Sequence, residues 1–272
     1  MKEILALIVF FLATSFFSIY LGILTKEAIE KGEIEPVFEN PYDVKNSFYM
    51  LILILFGTAL MLFFIKIKLE LIKLLENLAI FFLIATTFSY FLPTIHSFLI
   101  SFIIVTLSEM KPSFLLKNIC IFLSVPSAAA IIGASLDYKV LFIFFFLLSL
   151  YDIISVFITK HMVYLAEKIL SRPSAFISVF PSRRVRNIEF MSGKKKISVI
   201  ALGAGDYFMP ASLAVSLLTL GIKYSLVASI FNSVVLFLLF YLLTRKKTSR
   251  PLPALPFLFI SSLLAFVFSF YL

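Results

Sequence analysis

The sequence has no tryptophan, one cysteine and two histidines among 272 residues, and only 14% of its residues are charged. Each shortage excludes something. A single thiol, Cys120, can form neither an internal disulfide nor a cysteine-ligated metal cluster. It reads as a small apolar side chain in an apolar run. The histidines, His96 and His161, lie at the ends of apolar runs and no H-E-x-x-H occurs, so a zinc hydrolase lacks its ligands. No G-x-S-G occurs to carry a serine nucleophile. No metal and no cofactor is expected. Charge is also too sparse for a soluble domain, where about a quarter of residues are charged.

Apolar residues fill the space. The chain is 61% hydrophobic, with 34 Phe and a mean hydropathy of +1.08. No water-soluble core hides that much apolar surface, so the chain reads as an integral membrane protein. Nine apolar segments recur: 4–24, 48–65, 71–92, 94–108, 114–134, 140–159, 197–220, 222–243 and 253–272. Most approach the ~20 residues that cross ~30 Å of hydrocarbon. Helices are expected, because a lone strand in lipid leaves its backbone unpaired. The first segment has no small-residue cleavage site before Lys26 and reads as an uncleaved anchor. Pro93 would end a helix and divide the long run between Leu78 and Leu107 into two; with the run undivided, eight spans remain and the N-terminus flips outward, the 160–196 loop staying cytoplasmic in both arrangements. The expected fold is an all-α, polytopic membrane protein with nine transmembrane helices. Residues 1–159 hold the first six, 160–196 a loop and 197–272 the last three, in one membrane domain. Tyrosines, 11 in all, must supply much of any interfacial belt.

The formal charge of +9 would suggest nucleic acid in a soluble protein. Here the basic residues lie mostly between apolar runs, so no nucleic-acid partner is inferred. With nine spans, nineteen Lys and Arg fall on the side of the N-terminus and five on the other. The positive-inside rule then puts the N-terminus and the 160–196 loop in the cytoplasm of a cell-membrane protein. That loop carries nine of the basic residues and reads as an anchoring connector or a regulatory segment. The 26–45 loop is acidic, with Glu27, Glu30, Glu33, Glu35, Glu39 and Asp43, and falls outside.

Two acids lie away from the ends of the apolar segments: Asp152 in SLYDIIS and Asp206 in LGAGDYF. A charge at the centre of a spanning helix costs ~2.5–3.5 kcal/mol on insertion scales, so such residues face a partner or a water-filled cavity. At ~1.5 Å per helical residue, Asp152 lies about 12 Å in from Lys160 and Asp206 about 15 Å in from Lys196. Two carboxyls at one depth on consecutive antiparallel helices can meet and share a proton. That is what aspartic peptide hydrolysis requires: an anion to activate water and an acid to polarise the carbonyl. Gly203 and Gly205 flank Asp206, where glycine permits close helix approach, local unwinding and room for a substrate backbone. Tyr151 either hydrogen-bonds near such a site or packs. The prolines of RPLPALPF, residues 250–257, cannot sit inside a regular helix without leaving carbonyls unpaired, so the stretch reads as a proline-rich helix start or as non-helical backbone. They suggest a fixed backbone that shapes the site or holds extended substrate.

Tyr151-Asp152, then Gly203-Ala204-Gly205-Asp206, then Pro253-Ala254-Leu255 form the ordered triple YD, GxGD, PAL. On the sixth, seventh and ninth segments, this triple resembles the presenilin and signal peptide peptidase family of intramembrane aspartyl proteases. The resemblance implies a catalytic dyad of Asp152 and Asp206, with Tyr151, Gly203, Gly205, Pro253, Ala254 and Leu255 shaping the active site. It implies a transmembrane-helix substrate, unwound locally and held as an added strand. The short chain looks like the archaeal members, and the orientation like presenilin. Accessory subunits are not demanded by anything in the sequence. Two other readings use the same acids: a prepilin- or preflagellin-type GxGD peptidase cutting at the membrane surface, and a proton-coupled transporter or channel. The spans lack the cations expected along a permeation path.

Overall fold

The computed structural model describes residues 2–67, 69–111, 113–159, 176–181, 199–246 and 252–271. Most of the expected 160–196 loop lies outside them, as does His161. Nine α-helices occur among the described residues: α1 (Lys2–Glu30), α2 (Lys45–Ile67), α3 (Leu69–Ser89), α4 (Thr94–Met110), α5 (Phe114–Ser135), α6 (Tyr138–Ile153), α7 (Ala204–Ser216), α8 (Ile222–Lys246) and α9 (Leu255–Phe268). Six helices, α1, α2, α3, α5, α6 with its continuation, and α8, are long and apolar enough to cross a membrane. The 17-residue α4 and 14-residue α9 are shorter apolar helices.

Pro93 does separate two helices. It stands just before α4, where a residue with no N–H leaves nothing unpaired. The seventh segment departs from expectation. Its first part is not helical: β2 (Val199–Gly203) pairs antiparallel with β1 (Ile177–Pro181), Ile177 opposite Gly203 and Pro181 opposite Val199. The fold is therefore helical with one small sheet. Val199 and Ile200 are β-branched and favour extended backbone. The ladder, extended by the Ala204 amide donating to the Phe176 carbonyl at 2.7 Å, satisfies backbone groups that lipid cannot.

α7 is the centre of the molecule. From Met209 to Leu217 every residue is buried, and α1, α5, α6, α8 and α9 all pack around it. Close approach is made by glycines on the neighbours. A Cβ on Gly22 of α1 would stand 2.5 Å from Val215, and one on Gly133 of α5 would run into Val215 and the Ser212 carbonyl. Short polar side chains add bonds between helices: Ser15 with Ser229 at 2.8 Å, Asn232 with Ser262 at 3.0 Å, and Ser216 donating to the Leu136 carbonyl at 2.6 Å. By contrast α2 exposes Phe48, Tyr49, Ile52, Leu53, Phe56 and Phe63. The acidic loop is tied to the α5–α6 turn, with Val37 N–H donating to Ser135 and Asp137 N–H to the Pro41 carbonyl.

Candidate active site

Asp152 ends the regular part of α6. One residue later the helix widens into a π turn, Ile154–Ile158. Such turns rearrange the backbone ladder and recur at functional sites. Here the Ser155 hydroxyl donates to the Asp152 carbonyl at 2.9 Å. The Asp152 side chain is buried at 7% exposure, and the backbone N–H of Leu255 faces its carboxylate.

That donor explains the proline-rich stretch. Residues 252–254 are non-helical, and Pro253, Ala254 and Leu255 are buried. Ala254 caps α9 with no side-chain acceptor. The first N–H groups of a helix have no partner within it. One of them, at Leu255, is spent on Asp152.

Asp206 stands in the first turn of α7, where a helix N-terminus favours an anion by ~0.3–1 kcal/mol or more in a partly buried setting. Its carboxylate accepts from the Gly203 N–H, and a Cβ on Gly203 would lie 3.4 Å from Asp206 Oδ2. Gly205 has open space where a Cβ would stand. The helix packing expected of these two glycines is supplied by Gly22 and Gly133 instead. β2 delivers Gly203 in extended backbone, and the turn into α7 aims Asp206 sideways.

The helices that carry them, α6 and α7, pack against each other, and Asp152 lies within electrostatic range of Asp206. Among the described residues no lysine or arginine contributes at either. The structure thus brings α6, the start of α7 and the start of α9 to one point. Tyr151 is half-buried and packs against the core beside it.

Several features here were not expected from the sequence. Pro210 lies four residues after Asp206 within α7 and cannot donate to its carbonyl, which loosens the helix at that turn. Tyr207 is buried, lies tilted against Phe11 with ring centroids 5.4 Å apart, and shares a 2.7 Å bond with Ser178 of β1. Proline spacing could have flagged the first. Nothing in the sequence signals the second, because Ser178 is distant in the chain.

Residues 9–272 match the family described as signal-peptide peptidase, presenilin aspartyl protease. No curated protein matches significantly. Among solved structures, the fold is similar to that of a presenilin family intramembrane aspartate protease crystallised in C222, with TM-score 0.70, 20% identity and 98% of each chain covered. A structure titled the same way, in space group P2, gives TM-score 0.64 at 20% identity over 95% of this chain and 96% of that one. With the family matched over nearly its whole length, the chain belongs to the signal-peptide peptidase and presenilin aspartyl proteases and is a membrane-embedded aspartic-type endopeptidase.

Proposed function

We propose that Asp152 and Asp206 are the catalytic dyad, and that the protein hydrolyses peptide bonds within transmembrane helices of its substrates. What supports this is the placing of two carboxyls within electrostatic range on packed helices, with no lysine or arginine acting on either among the described residues. Two acids so placed share a proton more cheaply than both ionise. The ionised carboxylate takes a proton from water while the water oxygen bonds to the peptide carbon. The protonated partner gives its proton to the carbonyl oxygen. In the second half the C–N bond breaks, the nitrogen leaves with a proton from the first carboxyl, and the gem-diol oxygen returns its proton to the second.

Leu255, with Pro253 and Ala254, holds Asp152 in orientation. Gly203 does the same for Asp206, and Gly205 leaves room for substrate backbone. An unwound substrate segment adds to β2. Because Val179 turns its N–H and C=O away from β2, its opposite residue Ala201 turns both groups away from β1, toward an edge with no further strand among the described residues. The protein acts in the cell membrane with its N-terminus and residues 160–196 in the cytoplasm, as charge asymmetry favours, and without accessory subunits. Incubating purified protein with a single-span peptide, with products read by mass spectrometry, tests the reading. Cleavage within the span, blocked by an aspartyl transition-state analogue and absent in Asp206→Asn, is the expected result. Cutting only outside the span overturns it.

A further inference from the structure

A side-chain amide ties the backbone of β1 to α5. Asn118, on α5, donates its Nδ2 to the Val179 carbonyl at 3.2 Å and accepts the Val179 N–H on Oδ1 at 3.1 Å. The amide thus pairs with Val179 as a peptide group of a third strand would. Val179 is buried and packs with Phe114, one turn earlier on the same helix. A sheet edge buried without partners is costly, since its N–H and C=O have lost water and gained nothing. Asn118 removes that cost with Val179 in place and not after a slide of one residue, which would present Ser178 or Phe180, whose amides face β2.

A second tie fixes the other face. Ser178 shares its hydroxyl bond with Tyr207, the residue after Asp206. β1 is therefore indexed to α5 by Asn118 and to the start of α7 by Tyr207, and the ladder joins it to β2.

We propose that Asn118 is a positioning residue for cleavage-site selection. It rests on the reading that substrate adds as a strand to β2. β2 runs directly into α7, so the chain itself fixes its place beside Asp206; by holding β1 against it, Asn118 keeps β2 extended and ordered as the template on which one substrate register is read. Without that hold a looser β2 accepts substrate at neighbouring registers that keep the same face inward. Those differ by one side-chain repeat of a strand, about two residues.

The test compares full-length protein with Asn118→Leu, which keeps the volume and loses the amide, and Asn118→Asp, which keeps the acceptor and most of the shape. Hydrogen exchange of the 176–181 segment is measured alongside the product masses, KM and kcat on a single-span peptide. Asn118→Leu is expected to exchange faster in that segment and to raise KM roughly five- to ten-fold, the size of one or two net hydrogen bonds. New cuts should appear about two residues from the main one. Asn118→Asp should lie between it and the parent. Unchanged exchange would show that Asn118 does not hold the hairpin and would overturn the inference. So would faster exchange with one unaltered cut and a loss in kcat alone, which is what a purely structural residue gives. If the parent protein cleaves no peptide, the protease reading fails first, before any Asn118 variant is compared, and the inference falls with it.

Discussion

At the junction of α3, α4 and α5, Glu109 sits between Lys73 and Lys117. The nearly buried Lys117 ammonium bonds it at 2.5 Å, and Glu76 is buried close by on α3. At the junction of α6, α7 and α9, Asp152 and Asp206 have each other and two backbone N–H groups. Both regions take carboxylates out of water. The first neutralises Glu109 with cations, which leaves nothing to titrate and little to react. The second leaves charge to be balanced by a shared proton, which is unfavourable for stability and useful for chemistry. Buried acid alone does not mark an active site; buried acid without a cation does so more sharply.

The comparison is broken most severely at the dyad. Asp152→Asn or Asp206→Asn should remove cleavage of a single-span reporter to background, since positioned acid–base catalysis is worth ~10²–10⁴ and both groups act in it. Neither change should lower Tm, because each relieves a like-charge contact. Turnover in either variant would return these acids to the structural class. Next in size, Leu255→Arg should displace the N–H that serves Asp152 and reduce kcat about ten- to a hundred-fold, the worth of a hydrogen bond to a charged group at ~1.5–3 kcal/mol. Normal rates there would reduce the PAL segment to packing.

The ionic cluster should respond oppositely. Lys117→Met is expected to cost about 2–3 kcal/mol of stability, somewhat below a wholly broken buried pair because Glu109 keeps Lys73. Activity per folded molecule should stay unchanged. Adding Glu109→Gln should restore much of the Tm, since the uncompensated charge is gone. A fall in activity that Tm does not explain would link this cluster to catalysis. Smallest of all is a contrast between glycines. Gly133→Ala should cost ~1–3 kcal/mol through overpacking against α7. Gly205→Ala should stay within ~0.5 kcal/mol, as for a change into open space. Any loss of cleavage in Gly205→Ala then reads directly as lost room for substrate.

Much of the active site was legible because its elements announce themselves chemically. Asp152 and Asp206 stand out in apolar runs, and three prolines in six residues cannot continue a helix. The division at Pro93 was legible for the same reason. The ionic cluster was not, because Glu109 and Lys117 lie at segment ends where charge is unremarkable, and only packing buries them. The glycines misled in one respect: those beside Asp206 invited a close-packing role that Gly22 and Gly133 perform. The strand Val199–Gly203 hid inside an apolar run, where periodicity does not separate a buried strand from a buried helix.

Residue chemistry alone determined that this chain lives in lipid, that it is built mainly of helices, and that two acids stand inside apolar runs, because hydropathy and desolvation act residue by residue. Which partners those acids meet was left to the fold. Asp152 finds Leu255 and Asp206, and Val179 finds Asn118, across tens of residues of sequence. Contacts of that kind exist only once helices have packed, since the geometry that forms them is set by side chains far away in the chain.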